Sequence, residues 1–212
     1  MIFPLAYTKL KAFETCPRQG YARYISKEYP FKPTPAMDYG NKVHEAFKDR
    51  INNDTPFPSD LVWLEQFLPS HTMDTSVYEA ELPLAVDRDC NPCSFYDGEC
   101  FFRGKLDLFN VEGDTGYVID WKTGKPYEDP DELNLHAMVA KASYPKVKHW
   151  RGFYVWLRNR TIGDIHVLSP AVTYRKLITR VEKLKLEDIP KKNPLCPWCS
   201  LTSCEFNPEY EK

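Results

Sequence analysis

The spacing of hydrophobic positions along the chain changes from a helical period to a strand period and back again. From Gly40 onward, Val43, Phe47 and Ile51 recur at four-residue intervals, which predicts a helix with one apolar face. Other stretches with helical character are predicted at 7–26 with a break at Pro17, at 59–68, at 131–144 and at about 171–186. The proline-rich stretch "KEYPFKPTPAMDYG" is typical of turns.

Segments in the middle of the chain are instead typical of strands, with turn-rich sequence between them. Strands are predicted at 77–86, 99–110, 116–123 and 150–158, with "DIHVLS" as a candidate fifth. The order helix, three strands, helix, strand predicts an α/β fold with a mixed central sheet flanked by helices. We expect a single domain over residues 1–212, with its core at about 38–170.

Composition favours a folded protein without a global affinity for nucleic acid. The 212 residues include 28 basic and 30 acidic side chains, and 14% of them are aromatic. Any nucleic-acid binding must therefore come from a local patch or a bound metal ion. No apolar run approaches the roughly 20 residues that cross a membrane, and the N-terminus lacks a signal-peptide pattern. We therefore expect a cytoplasmic protein with no membrane partner.

Two charged residues interrupt the predicted strand "GYVIDWKT". Asp120 and Lys122 are two residues apart and so project from one face, opposite to Ile119 and Trp121. Asp107 stands among apolar neighbours near the end of the preceding strand, in "ECFFRGKLDLFN". If the two strands form a hairpin through "VEGDT", the two aspartates come within reach of one divalent ion.

Two carboxylates and a nearby backbone carbonyl make a site of hard oxygen donors, which suits Mg²⁺ or Mn²⁺. A metal ion of this kind activates water and stabilises the charge that develops on a phosphoryl oxygen. The ammonium of Lys122 beside it can orient that water or hold the phosphate. The spacing alone equally allows a salt bridge at the rim of a sheet.

The same segments resemble the motifs of a nuclease family. "FRGKLDLF" followed by "YVIDWKTGK" is similar to the G-x-x-D … (I/V)-D-x-K core of the PD-(D/E)XK nuclease superfamily, and "YGNKVHEAF" resembles the G-x-x-x-H helix of its RecB-like exonuclease branch. The resemblance implies a restriction-endonuclease-like core in which Asp107 and Asp120 are catalytic metal ligands and Lys122 is the catalytic lysine. It also implies that His44 and the carbonyl oxygen of Trp121 bind the metal.

The next segment departs from the family pattern. Where the branch usually has Q-L-x-x-Y, a feature that contacts DNA, this chain has "ELNLHAM", with Glu132 and His136 in place of Gln and Tyr. We expect His136 still to donate a hydrogen bond, whereas Glu132 would repel phosphate or add a metal ligand. The departure leaves strand handling and polarity open.

Seven cysteines are many for a protein of a reducing compartment, and an odd number cannot all pair as disulfides. "FETCPRQGYARY" and "CPWCSLTSC" resemble the split cysteine set of iron–sulfur nucleases in the same branch, namely AddB-type domains, CRISPR-associated nucleases and phage-encoded relatives. That resemblance implies a [4Fe–4S] cluster that joins segments 1–37 and 171–212. The ligands it implies are Cys16, Cys196, Cys199 and Cys204. Four thiolates also suit structural Zn²⁺, and spacing does not separate the two metals.

Three further cysteines, Cys90, Cys93 and Cys100, surround a predicted hairpin turn. They would bind zinc if a fourth ligand such as His71 came near. Three ligands alone make a poor structural zinc site, which favours free thiols.

Basic and aromatic residues mix at 141–160 and at 174–185. There Arg and Lys can contact phosphates while exposed aromatic rings stack on unpaired bases; the alternative is a solvated surface. The candidates for local DNA contact are Lys141, Lys146, Lys148 and Arg151, together with Glu132 and His136. Comparable candidates near the first cysteine are Tyr7, Lys11, Arg18 and Arg23.

Together the motifs predict a metal-dependent DNA nuclease, an exonuclease that hydrolyses phosphodiester bonds from DNA ends with metal-activated water. No G-x-x-x-x-G-K-[ST] motif is present, so we expect the chain to act as a homo-oligomer around DNA or beside a separate helicase. The alternatives are a non-catalytic DNA-binding or assembly subunit, and endonucleolytic trimming in CRISPR spacer acquisition. A compact nuclease of this type fits a prokaryotic host or a phage.

Overall fold

The computed structural model describes residues 3–29, 33–68 and 75–210. Its helices are α1 (Tyr7–Thr15), α2 (Pro17–Tyr24), α3 (Pro35–Asn53), α4 (Pro130–Ser143) and α5 (Pro170–Glu182). Its strands are β1 (Thr75–Val86), β2 (Pro92–Cys93), β3 (Phe102–Glu112), β4 (Thr115–Lys122), β5 (His149–Trp156), β6 (Thr161–Ile162) and β7 (His166–Val167). Short 3₁₀ helices lie at Val62–Phe67 and Cys196–Trp198.

The strands form one mixed sheet in the order β2-β1-β3-β4-β5-β6, and β7 pairs with another part of β5. Strands β1, β3 and β4 pair antiparallel, whereas β4 and β5 are parallel. A parallel pair needs a crossover connection, and α4 lies in that connection. The prediction of an α/β fold with a mixed central sheet flanked by helices is confirmed.

The helix that carries His44 begins earlier than the apolar spacing predicts. Helix α3 starts at Pro35 and not at Gly40, because the backbone N–H of Met37 donates to the Thr34 side chain at 3.3 Å and caps the helix. Proline is well suited to the first helical turn, where its missing N–H costs nothing. A proline-rich stretch that indicated a turn therefore contains the start of the longest described helix.

Other predicted boundaries also change. The helix expected at 59–68 is a shorter 3₁₀ helix, Val62–Phe67, and the candidate fifth strand is reduced to β7. The break predicted at Pro17 is confirmed, because α1 ends at Thr15, Cys16 is extended and Pro17 is the first residue of α2. These differences lie at element ends, where local capping decides the boundary.

Helix α3 packs on one face of the sheet through aromatic side chains. Phe47 stacks on Trp121 of β4 with ring centroids 3.9 Å apart and planes within 5° of parallel. Leu108 of β3 and Ile119 of β4 join the same buried cluster. Ile119 and Trp121 thus share the core face, as the strand alternation predicts, and Asp120 between them does not.

The chain divides into two compact units. The first comprises Met1–Pro4 and Pro33–Tyr174, which includes the sheet, α3 and α4. The second comprises Leu5–Lys32 and Arg175–Lys212, so it combines segments from both ends of the sequence. No helix in the described part of the chain is both long and apolar enough to cross a membrane.

Within the second unit, ion pairs join the two segments. Arg180 donates from Nε and Nη2 to both carboxylate oxygens of Glu14, at 2.7 and 2.9 Å. Arg18 of α2 pairs with Asp188 and donates to the Ser203 hydroxyl at 3.0 Å. A bidentate guanidinium–carboxylate pair fixes geometry better than a single contact does.

We expect Phe47→Ala to lower the free energy of unfolding by about 3–5 kcal/mol, because it leaves a cavity against the Trp121 ring. Tyr39→Ala on the same helix is the matched control: its side chain is 43% exposed, and its effect should stay within about 0.5 kcal/mol. Urea denaturation followed by circular dichroism measures both. Equal stability of the two variants would contradict the packing of α3 on β4.

Candidate metal centre

The site is built where the ladder between β3 and β4 ends. The pairing runs from Glu112 with Thr115 to Leu108 with Ile119 and goes no further toward the carboxyl end of β4. Beyond it, the backbone N–H of Trp121 donates to Oδ2 of Asp107 at 2.9 Å. The Asp107 carboxylate therefore lies between the two strands at the point where they separate.

His44 of α3 lies against the same point. Its Nε2 is 3.1 Å from the carbonyl oxygen of Trp121, and its Nδ1 is 2.9 Å from Oε1 of Glu81 and 3.4 Å from Oδ1 of Asp107. Burial alone would lower the pKa of His44, but hydrogen bonds and charges from Asp107 and Glu81 outweigh it and raise that pKa to about 10. A metal ion that binds this imidazole must displace its proton.

His44, Glu81 and Asp107 make a candidate acidic metal site. Within residues 3–29, 33–68 and 75–210, they are the one group of three His, Cys, Asp or Glu side chains whose ligand atoms all lie within 4.8 Å of one another. Imidazole and carboxylate are ligands that divalent metals accept. Asp120 is not a member of this group, although Asp107 and His44 are, so the structure brings together part of the metal set that the sequence predicted.

Sequence reasoning missed Glu81. It lies on β1 between the pairs Ala80 with Leu108 and Leu82 with Leu106, which places it directly across from Asp107 on β3. Its carboxylate also forms an ion pair with Lys105. An acidic residue in the interior of the predicted strand "VYEAELPL" is a sequence signal for a functional site. Assigning it to this site requires knowing that the strand pairs with "FRGKLDLF".

Asp120 lies on the opposite face of β4 from Trp121 and is buried, with 3% of its surface exposed. Burial and the charge of Asp107 raise its pKa well above the usual range, and Lys122 opposes that shift in part. Its Oδ2 is 2.8 Å from Nζ of Lys122 but receives no well-aligned hydrogen bond. A buried carboxylate that is costly to ionise is stabilised by a cation nearby.

The ammonium group of Lys122 contacts two carboxylates and lies near an aromatic ring. Its Nζ is 3.0 Å from Oε2 of Glu132 as well as 2.8 Å from Asp120, and it lies 5.6 Å from the centre of the Tyr154 ring. Burial would lower the pKa of Lys122, but the charges of Asp120 and Glu132 outweigh it and raise that pKa. At neutral pH Lys122 is therefore an ammonium group that can attract an anion.

Both unusual residues of "ELNLHAM" point toward this region from α4. Glu132 contacts Lys122, and His136, one turn further, is buried with a pKa lowered by burial. His136 packs against the backbone of Gly104, where a Cβ atom would lie 2.7 Å from its Cδ2. Glycine is thus required at position 104, because the His136 ring approaches its backbone too closely for a Cβ atom. The lowered pKa leaves the imidazole of His136 neutral at pH 7.

The basic residues predicted to contact DNA lie away from this centre. Register pairs His149 with Thr115 and Trp156 with Lys122, so the start of β5 is about 23 Å from Lys122 at roughly 3.3 Å per residue. Lys146, Lys148 and Arg151 are exposed there. Lys141 instead donates to the carbonyls of the loop after α4, at 2.7 and 2.8 Å.

An open cleft of about 570 Å³ adjoins the candidate metal site. One wall is the first half of α3, and the other carries side chains of β1, β3 and the loop after β4. Its lining comprises Ala36, Met37, Gly40, Asn41, His44, Glu45, Glu81, Lys105 and Thr123. A ligand in this cleft would reach His44, Glu81 and Lys105 together.

Candidates from the N-terminal segment lie in the second unit and have partners there. Arg18 is committed to Asp188 and Glu28, and Arg23 lies 4.5 Å from the centre of the Tyr29 ring. Lys11 lies 5.9 Å from the centre of the Tyr7 ring. These contacts account for the positions of their charges without a nucleic acid.

The four cysteines of the split set line one cavity in the second unit. They are Cys16, Cys196, Cys199 and Cys204, and each is a free, partly exposed thiol. The backbone N–H of Asn193 lies 3.3 Å from Sγ of Cys196. Among the described residues no three of these sulfur atoms lie within 4.8 Å of one another.

The central cysteines are different. Cys93 pairs with Ala85 through β2, and its thiol lies near that of Cys100. Burial raises the pKa of Cys90, Cys93 and Cys100, that of Cys100 to about 11. They are therefore thiols and not thiolates at neutral pH, and the fourth ligand imagined for them, His71, lies outside the described residues.

A model of the PD-(D/E)XK nuclease superfamily matches residues 4–206 of the chain. A search of curated proteins finds no match. Among solved structures, the crystal structure of SSO0001 is 16% identical, with alignment over 92% of this chain and 82% of that chain at a TM-score of 0.40. At that score the likeness carries no weight, so the family model is the informative comparison.

We expect Gly104→Ala to lower the free energy of unfolding by about 1–3 kcal/mol, since the added methyl group overpacks the contact with His136. Gly98→Ala is the matched control, because a Cβ there meets nothing within 4 Å, and its effect should be within about 0.5 kcal/mol. Urea denaturation of both variants is the measurement. The contact is refuted by a Gly104→Ala variant as stable as Gly98→Ala.

Proposed function

Because the chain belongs to the PD-(D/E)XK nuclease superfamily, we propose that it is a Mg²⁺- or Mn²⁺-dependent deoxyribonuclease that hydrolyses phosphodiester bonds from DNA ends. One observation carries the proposal. Asp107 accepts a hydrogen bond from the N–H of Trp121, the residue between Asp120 and Lys122, and His44 lies against the Trp121 carbonyl. This arrangement supports the roles that the motif resemblance implies for these residues.

The donor set suits a divalent metal ion. His44, Asp107, Asp120 and the carbonyl oxygen of Trp121 would hold it, three of them through the hard oxygen atoms that Mg²⁺ and Mn²⁺ prefer. The buried Oδ2 of Asp120 receives no well-aligned hydrogen bond, which supports this fit because a neighbouring cation would stabilise the ionised carboxylate. A bound ion would supply an activated water and stabilise charge on the phosphate.

Lys122 acts through its charge. Two carboxylates and the Tyr154 ring orient the ammonium, and the charges of Asp120 and Glu132 raise its pKa. A fixed ammonium can attract a phosphate oxygen and stabilise negative charge that develops there. Its contact with Lys122 at 3.0 Å supports Glu132 as a positioning residue for the ammonium.

We extend the proposal to a [4Fe–4S] cluster bound by Cys16, Cys196, Cys199 and Cys204. Four thiols on one cavity supply the required ligands, and an N–H directed at Cys196 suits a thiolate. Zinc with bonds of about 2.3 Å would draw its sulfur ligands to roughly 3.8 Å of one another. Structural Zn²⁺ is the alternative occupant, because four thiolates suit it as well.

DNA ends are the proposed substrate, and a homo-oligomer or a separate helicase is the proposed partner in the cytoplasm of a prokaryotic host. The exposed basic residues lie on β5, the strand neighbouring β4, or just before it. They would contact DNA at a distance from the bond that is cut and so would affect affinity more than the rate of cleavage.

We expect Asp107→Ala, Asp120→Ala and Lys122→Ala each to lower kcat by at least about 10²-fold, the usual cost of losing a group that stabilises charge in the transition state. Lys125→Ala, an exposed residue in the loop after β4, should leave kcat unchanged. Labelled linear and closed-circular DNA with Mg²⁺, Mn²⁺ or a chelator are the assays. Cleavage of closed-circular DNA would show that the enzyme is an endonuclease and not an exonuclease. If the wild type cleaves neither substrate, the alternative of a non-catalytic DNA-binding subunit is favoured.

We expect anaerobically purified protein to be brown and to contain about four iron atoms per chain, as a [4Fe–4S] cluster requires. Cys199→Ser should lose the iron and lower the melting temperature, because the clamp that closes a long loop is gone. Cys93→Ser is the control and should keep the iron. Zinc at one per chain without iron would overturn the cluster and leave the nuclease intact.

A further inference from the structure

Glu81 has an unusual backbone for its position. Its φ is +57°, in the left-handed region, at the centre of β1. A non-glycine residue rarely adopts this conformation, and adopting it costs free energy. Pairing with β3 continues in register on both sides, from Ala80 with Leu108 to Leu82 with Leu106. Glu81 is therefore not an extra residue of a β-bulge. The pairing of β1 with β3 does not require its positive φ.

The conformation places the Glu81 carboxylate among charged groups. The side chain is 9% exposed, and Oε1 lies 2.9 Å from Nδ1 of His44. A ligand oxygen of Glu81 and one of Asp107 lie within 4.8 Å of each other. Two nearby carboxylates repel each other in a partly buried site, and a cation between them removes that repulsion.

We propose that Glu81 is a direct ligand of the catalytic divalent ion, and that β1 retains the strained backbone because it brings this carboxylate to the metal. None of the three motifs that identify the family in this chain contains Glu81. The inference rests on the proposed function, since it adds a ligand to the same ion. The alternative is that Glu81 serves only to hold His44 in place.

Two substitutions separate these roles. Glu81→Gln keeps an oxygen that can accept a hydrogen bond from His44 but removes the negative charge that a divalent ion needs. Glu81→Gly removes the side chain and relieves the backbone, because glycine adopts positive φ without penalty. Glu79→Gln is the matched control, since Glu79 lies two residues away on the same strand and is exposed.

Mn²⁺ binding to the full chain is measured by isothermal titration calorimetry, and melting temperature is measured with and without Mn²⁺. We expect Glu81→Gln to weaken Mn²⁺ binding by at least about 10-fold, as losses around a metal site commonly do, and to reduce the rise in melting temperature that the ion produces. Glu81→Gly should melt above the wild type without metal and also bind Mn²⁺ weakly. Glu79→Gln should match the wild type in both measurements.

Glu81→Gln that binds Mn²⁺ as tightly as the wild type overturns the ligand assignment, because holding His44 survives this substitution. If the Glu81→Gly variant melts below the wild type in the absence of metal, the claim that β1 keeps a strained backbone in order to bind the ion is overturned. Asp107→Ala tests the proposed function separately: its failure to weaken Mn²⁺ binding, or a wild type that binds no Mn²⁺, refutes the metal centre itself. If Asp107→Ala loses Mn²⁺ binding and Glu81→Gln does not, Glu81 is not a metal ligand and the proposed function stands.

Discussion

The hydrogen bond from the Trp121 backbone to Asp107 determines the geometry of the centre. The ladder between β3 and β4 stops at Leu108 and Ile119, and the Asp107 carboxylate then replaces a strand carbonyl as the acceptor. The same residue, Trp121, stacks its ring on Phe47 of α3 and presents its carbonyl oxygen to His44 of that helix. The positions of two predicted metal ligands therefore follow from hydrophobic packing on one face of the sheet.

Charge compensation is the second constraint, because four carboxylates meet in a small volume. Glu81 has Lys105 and His44 as partners, and Lys122 lies between Asp120 and Glu132. The raised pKa values of His44 and Lys122 are the result, since each ring or ammonium is surrounded by negative charge. Isolated buried carboxylates would be too costly to keep ionised.

This pairing changes the meaning of Glu132. The sequence alone predicts that Glu132, in place of the Gln of the motif that this segment resembles, repels a phosphate or adds a metal ligand. In the structure the carboxylate of Glu132 lies 3.0 Å from Nζ of Lys122, so Glu132 is not an unpaired acid beside Asp120. The departure from the family motif is accompanied by a local electrostatic partner.

Sequence reasoning predicts the parts of the site that depend on local periodicity. Alternation along β4 predicts that Asp120 and Trp121 face opposite sides, and the packing of Trp121 on α3 agrees. Glu81 could not be predicted, because its role depends on the pairing of β1 with β3 and on a positive φ that no residue pattern indicates. Lys148 and Arg151 had suitable chemistry, but the parallel register of β4 and β5, a long-range property, decides that they lie far from Lys122.

The second unit is assembled from sequence that is far apart, which has a consequence for the order of events during synthesis. Arg18 and its partner Asp188 are separated by 170 positions. At roughly 5–20 residues per second, helices α1 and α2 leave the ribosome about 10–30 s before the segment that covers them. The apolar side chains of α1 and α2 that the folded protein buries stay exposed during that interval. The nascent chain therefore presents a transient apolar surface that chaperones can bind while the sheet is still being synthesised.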